Sequence, residues 1–280
     1  MSSGHTQHWP TRAAAALEVR LLGRVDWDSA TGLQEYYAYE MSGRTDAGGV
    51  LILCEHPPLI SVGRQGSRRQ ILASDEELSA SGISLRWTAR SGGAVVHAPG
   101  QLVIYLLLPL DRLGMGVGEY RRRMEQALLS VCHEQRVPAK RLEGSPGLWT
   151  RGGQVGFLGA VVKSWITQFG GWLNVAPAPG FLKLAGSELS SVALSAYETA
   201  IPQTETGLSR VSEQRVTSLQ EQLQRRVSMH STRESAIRHV SAAFGYDTIH
   251  THTGHPQLVR TQRTVVTQLG VCDYTGRGQG

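Results

Sequence analysis

One arginine, a glycine pair and one histidine stand together in Arg90-Ser91-Gly92-Gly93-Ala94-Val95-Val96-His97. An imidazole beside a rigid turn can donate to or accept from a carbonyl oxygen, and its ordinary pKa of about 6.5 suits it to acid or base work. Pro99-Gly100-Gln101 follows at once and makes a turn able to aim that ring inward. Gly92 and Gly93 allow a ligand to approach the backbone with no side chain between them. Each residue also has a plainer reading: a Gly-Gly pair is usually a turn, an arginine a surface cation, a lone histidine a satisfied one. Taken together, the run reads as a ligand-facing loop followed by the wall of a pocket.

Other chemistry-bearing residues are less informative. Cys54, Cys132 and Cys272 form an odd, widely spaced set, with neither a disulfide framework nor metal-ligand spacing, so reduced thiols are expected. His250, His252 and His255 are the closest histidine group, but no cysteine stands at ligand spacing. They read as part of a solvated tail, and no metal site is expected. The 28 basic residues against 23 acidic ones leave a net charge of only +5, without aromatic and basic interleaving, which argues against nucleic acid and favours acidic protein partners. The longest apolar stretch, residues 102–108, is far short of the roughly 20 residues of a membrane span. The N-terminus shows no basic region followed by a long apolar segment, so no membrane association and a cytoplasmic location are expected.

The elements that must carry this loop follow from periodicity. Residues 1–12 are small and polar and are expected to be disordered. Residues 17–22 and 50–54 read as strands, the second ending at Glu55-His56-Pro57-Pro58, where a loop begins. Residues 28–41 repeat at helical spacing. Residues 85–88 read as a strand, and residues 95–108 as a strand, a turn at His97 to Gln101 and a second, buried strand. Tyr120, Met124, Ala127, Leu128, Val131 and Cys132 mark one face of a helix, which makes Cys132 a core residue. Residues 155–162 and 173–175 read as strands, Ser218 to Glu221 has the spacing of a capping box, and residues 232–244 form a helix stopped by Gly245. The expected class is α+β: mixed, mainly antiparallel sheets packed with helices, in one domain over residues 13–246 with an appendage at 247–280.

The run Arg90 to Tyr105, with its His-x-Pro-Gly-Gln-Leu-Val-x-Tyr ending, resembles the binding signature of the biotin and lipoate protein ligase superfamily, and within it the octanoyltransferase family, also called lipoate-protein ligase B. Further motifs follow in family order: Glu55-His56-Pro57-Pro58 with Gly63-Arg64, Pro146-Gly147-Leu148-Trp149, Gly170-Gly171-Trp172-Leu173-Asn174-Val175, and Val216-Thr217-Ser218-Leu219. The resemblance implies the ligase catalytic-domain fold and transfer of an octanoyl group from acyl carrier protein to a lysine of a lipoyl domain. It implies no cofactor and no metal. It also implies a substrate-binding surface made by Arg90, Ser91, Gly92, Gly93, Ala94, Val95, Val96, His97, Phe157, Leu158, Gly159, Gly170, Gly171 and Trp172, with Arg90 at the pocket's edge.

Family members carry the acyl group on a cysteine whose thiolate a nearby lysine favours. Carried onto this chain, the lysine position is Gln154 and the cysteine position is Ser187, or falls near Ser209 when counted back from Val216. The family histidine before Gly170 is Phe169, and the arginine after Gly159 aligns with Val161. A serine hydroxyl is a weak nucleophile without a positioned base. Three readings therefore stand: an octanoyltransferase with altered chemistry, a binding protein that holds an acyl group, lipoyl domain or carrier protein without turnover, and an ATP-dependent ligase of the related kind.

Overall fold

Strands that are apolar at every position have to be buried on both faces, and β2 (Gly49–Glu55) and β6 (Gln101–Leu107) are of this kind. The computed structural model describes residues 15–142, 147–184 and 216–258. Expectations for residues 1–12, Ser187, Ser209, Cys272 and Pro146 lie outside the described residues. Preceding and following β2 and β6 are β1 (Ala16–Arg24), α1 (Trp27–Ser42), β3 (Leu59–Val62), α2 (Asp75–Ala80), β4 (Ser84–Trp87), β5 (Ala94–His97), α3 (Leu110–Leu113) and α4 (Val117–Glu134). Then come β7 (Lys140–Arg141), β8 (Gly147–Thr150), β9 (Gly153–Lys163), β10 (Ile166–Asn174), α5 (Pro179–Leu182), α6 (Leu219–Leu223), α7 (Met229–Phe244) and β11 (Thr248–Thr253).

Eight strands form one sheet in the order β11-β1-β2-β6-β10-β9-β8-β7, and β4-β3-β5 form a second. In the large sheet only β11 with β1 and β1 with β2 run parallel, and every other neighbouring pair is antiparallel. This is the expected mixed, mainly antiparallel α+β architecture. Period-two alternation divides the core: Leu51, Leu53, Leu102, Ile104 and Leu106 face α4 and α7, while Val50, Ile52, Cys54, Val103 and Tyr105 face α1. The small sheet packs Ile60, Val62, Ala94 and Val96 against Leu78 of α2. Among the described residues no helix is long and apolar enough to cross a membrane.

Helix ends follow local chemistry. Asp26 caps α1 by accepting from the Ser29 N–H at 2.8 Å, and Gly245 ends α7 in the left-handed conformation at φ 73°. Ser218 caps α6, but Glu221 does not complete a box: its carboxylate accepts from the Thr217 hydroxyl at 2.8 Å instead.

The strand expected to end at Glu55 does so, and a short loop follows it to Leu59, where β3 begins and pairs with both β4 and β5. The strand expected at residues 173–175 starts at Ile166, because Gly170 and Gly171, weak strand formers alone, pair with Tyr105 and Ile104. Within the stretch from residue 247 that was expected to be an appendage, the described residues pack on the rest of the chain. Thr248–Thr253 adds to the sheet beside β1, His255 is buried against Tyr36 and Tyr37, and Leu258 packs in the α1 core. Only His250 and His252 remain exposed as a solvated tail would be. The alternation of polar side chains concealed a strand whose contribution is its backbone ladder. Truncation after Tyr246 is expected to leave β1 as an open edge and to lower the thermal unfolding midpoint by several degrees; an unchanged midpoint would contradict this.

Candidate functional site

The two strands read on either side of His97 belong to different sheets, β5 to the small one and β6 to the large one. The Pro99-Gly100 turn is therefore the hinge where the sheets meet. Gly100, at φ 93°, passes so close to the backbone of Ala176 that a Cβ would stand 2.4 Å from its carbonyl oxygen. Glu55 holds the same turn by accepting from the Gly100 N–H at 2.8 Å, and its other oxygen pairs with Arg233 of α7 at 2.7 Å.

Behind this hinge lies a directional chain of buried hydrogen bonds. Arg90 donates through Nε and Nη2 to the Ser61 hydroxyl at 3.2 and 2.9 Å. Ser61 Oγ lies 2.8 Å from His97 Nε2, and His97 Nδ1 lies 2.7 Å from Gln101 Oε1. A carboxamide oxygen can only accept, so Nδ1 carries the imidazole proton and Nε2 accepts from Ser61. Gln101 Nε2 donates to the Val96 carbonyl and to Asn174 Oδ1, both at 2.9 Å, and Asn174 Nδ2 donates to the Thr217 carbonyl at 3.0 Å. Burial, then the neighbouring His56 and Arg90, hold the His97 pKa well below its ordinary value. A second buried histidine, His56, donates from Nδ1 to the Val25 carbonyl and accepts at Nε2 from the Tyr105 hydroxyl, each at 2.7 Å. Burial lowers its pKa to about 4. Trp27 lies against both imidazoles, at 5.3 Å from His56 and 5.1 Å from His97.

The expected site residues fall as follows. Arg90 is an interior residue. It is fully buried, with its guanidinium also held by the carbonyls of Ser61, Ser91 and Gly93 and stacked 5.2 Å from Trp172 and 5.9 Å from Phe157. Both ring nitrogens of His97 are engaged, so the ring acts through its neighbours. The space over Gly92 and Gly93 is filled by residues 63–66: Gly63 N–H donates to the Gly93 carbonyl at 2.9 Å, the Gln65 carboxamide accepts from Gly92 N–H, and a Cβ on Gly63 would stand 2.3 Å from the Gly92 oxygen. These glycines serve close packing of two loops. Gly159 serves it too, since a Cβ there would stand 2.7 Å from the Ser91 carbonyl oxygen. Leu158 packs on the α4 face of the sheet, and Gly170 and Gly171 are ladder residues.

The remaining residues converge. A small cleft, open to solvent, is lined by Ala94, Val95 and Val96 of β5, Trp172 and Asn174 of β10, Gln154 and Gly156 of β9, and Gln101, Leu182 and Val216. Phe157 backs it, stacked on Trp172 at 4.6 Å. Gln154 is buried beside Val216, and its carbonyl accepts from the Thr217 N–H at 2.9 Å. Cys54 and Cys132 do not line this cavity. Both are core residues, and burial pushes the Cys132 thiol up to about 12 and raises that of Cys54 as well. Gln101, Asn174 and His56 were legible as members of the family-like motifs, but Ser61 and Trp27, which touch His97 behind the cleft, carried no sequence signal.

This arrangement, a large mixed sheet hinged to a small one over a cavity, is that of a ligase-like catalytic domain. The chain belongs to the lipoyl protein ligase A/B catalytic domain family, whose profile matches residues 28–241. Within it, the similarity is to octanoyltransferases: 30% identity over 231 residues to that of Roseiflexus sp., covering 81% of this chain and 87% of the relative. The octanoyltransferase of Geobacter metallireducens is 36% identical over 157 residues, 56% of this chain and 70% of that one. The fold is shared with lipoate-protein ligase A bound with ATP, at TM-score 0.63 and 15% identity over 90% of this chain and 95% of that one. It is shared equally with a bipartite lipoate protein ligase of Thermoplasma acidophilum, at TM-score 0.62 and 15% identity over 92% and 93%.

Proposed function

We propose that this chain works in protein lipoylation as an acyl-binding member of the octanoyltransferase family, with octanoyl-acyl carrier protein as the source of its ligand and a lipoyl domain as its protein partner. The cavity beneath β5 is the acyl site in this reading, its wall stiffened by Arg90, His97 and Phe157. The observation that carries it is the lining: apolar side chains and carboxamides, with no thiol and no lysine among the described residues. Gln154 stands where the family resemblance puts the lysine, and an uncharged carboxamide does nothing to favour a thiolate.

Incubation with octanoyl-acyl carrier protein and a lipoyl domain, followed by intact-protein mass spectrometry, separates the readings. The expected result is saturable binding of the carrier, an unchanged mass for this chain and an unmodified lipoyl domain. An acyl adduct, at Ser187 or Cys272, or an octanoylated lipoyl lysine would instead establish transfer, the reading that the identity over 231 residues to an octanoyltransferase favours. Absence of any carrier or acyl binding would remove the acyl-site reading altogether.

A further inference from the structure

Glu55 ends β2, and alternation turns its side chain to the face of the sheet that α7 covers, the face of Leu51 and Leu53. One carboxylate oxygen accepts from the Gly100 N–H at 2.8 Å, and the other accepts from Arg233 Nη2 at 2.7 Å. Only 18% of the Glu55 side chain and 22% of the Arg233 side chain are exposed, so this pair is screened less than one on the open surface. On the other side of the turn, the Gly100 carbonyl accepts from the N–H groups of Val175 and Ala176 at 3.1 and 2.9 Å, just past the end of β10. Gly100 is therefore tied to β2 and α7 through Glu55 and to β10 through its own carbonyl. It is also where β5, which carries the Ala94 to Val96 wall, leads into β6. Its N–H donates to a side chain and not to a carbonyl of either sheet, so the placing of the turn depends on that carboxylate.

We infer that Glu55 and Arg233 are positioning residues for the cleft: Arg233 orients the Glu55 carboxylate, the carboxylate holds the Gly100 turn, and the turn sets the β5 wall against the Trp172 and Asn174 wall of β10. This rests on the reading of the cleft as an acyl site. A backbone N–H bonded to a carboxylate is charge-assisted, and a guanidinium on the second oxygen fixes the direction in which that carboxylate points. Without Arg233 the carboxylate is free to turn toward solvent, and the Gly100 N–H loses its preset acceptor. The ligand must then order the β5 wall itself, which subtracts from its binding. The bond from Gln101 to Asn174 crosses the same corner at 2.9 Å and keeps the two sheets joined, so a loosened turn alters the wall without unfolding the domain. Neither Glu55 nor Arg233 lines the cleft, and each acts on it through the turn.

The test is calorimetric titration of the full chain with S-octanoyl-N-acetylcysteamine. Arg233→Met, which keeps an unbranched stem and removes the guanidinium, is expected to weaken binding roughly three- to tenfold, and Arg233→Lys to recover most of that loss. Glu55→Gln still offers an oxygen to Gly100 and is expected to lose less than Glu55→Met. In the Glu55→Met background, Arg233→Met is expected to add almost nothing, because its route to the turn is already cut. Arg238→Met, on the same helix but paired with the exposed Glu134, is expected to bind like the unaltered chain, which separates positioning from a general loosening of α7. Unchanged affinity in a folded Arg233→Met, full additivity in the double variant, or equal weakening by Arg238→Met would overturn the inference and leave the acyl site standing. If Glu55→Met folds poorly by circular dichroism, amide exchange in Arg233→Met decides: faster exchange at Gly100, Val175 and Ala176 supports the inference, and unchanged protection overturns it. No binding of the probe to the unaltered chain would overturn both the inference and the acyl site.

Discussion

Replacing Arg90 with alanine is expected to cost about 3–5 kcal/mol. The side chain is fully buried, so its removal leaves a cavity between the Trp172 ring and the residue 90–93 loop. It also strips donors from the carbonyls of Ser61, Ser91 and Gly93 and from the Ser61 hydroxyl. Buried acceptors that lose their partner bear most of their desolvation cost, which is why the effect exceeds that of deleting an ordinary surface cation. Against a typical domain stability of roughly 5–15 kcal/mol, this is a third or more of the total. Lysine will not rescue it, since a single ammonium cannot reproduce a planar fork reaching four oxygens at once. Urea unfolding of Arg90→Ala and Arg90→Lys checks the point. A loss below about 1 kcal/mol in the alanine variant would show that the loop does not depend on the guanidinium.

Acid is expected to destabilise the protein well before its carboxylates titrate. His56 is held neutral by burial with a folded-state pKa of about 4, and His97 is depressed in the same direction, again chiefly by burial. In the unfolded chain both return to about 6.5. Between these limits the unfolded state binds more protons than the folded one, so stability is complete above the unfolded value and falls as the pH drops toward the folded one. His56 alone accounts for about 3 kcal/mol by the bottom of that window, and His97 adds to the same slope. The two rings lie 5.7 Å apart in an edge-on arrangement, so charging one opposes charging the other. Asp46, whose carboxyl is held low by its hydrogen bond from Arg44, acts only at lower pH. Urea midpoints measured from neutral pH downward should therefore decline through the histidine window, and His56→Gln should flatten that decline. An equal slope in the variant would show that the window belongs to other groups.

Much of the architecture was open to reading along the chain. Alternation and apolar runs placed β1, β2, β5, β6 and β9, and a single helical face placed Cys132 in the core of α4, where it is fully buried. What escaped was wherever side-chain pattern and backbone role part company. The polar strand β11 shows no apolar stripe, because its contribution is a parallel ladder on β1 with its side chains in solvent. Gly170 and Gly171 look like strand breakers, yet they lie in the middle of β10, where the Ile104 carbonyl beside the one and the Phe157 carbonyl beside the other leave no room for side chains.

The site divides along the same line. The run from Arg90 to Tyr105 was enough to mark a binding architecture and to suggest its family, because the glycines, the proline turn and the buried strand are consecutive and act through local conformation. The roles within that run were a different matter. Arg90 became a buried clamp, and His97 a ring with both nitrogens engaged, because Ser61 lies 29 residues before the one and 36 before the other and reaches them only when the small sheet closes. Gln154 became a wall residue because β9, β10 and Val216 meet around it. Spacing along a chain sets the local path of the backbone; which side chains end up engaged, and which line a cleft, is settled by partners that arrive from far along it.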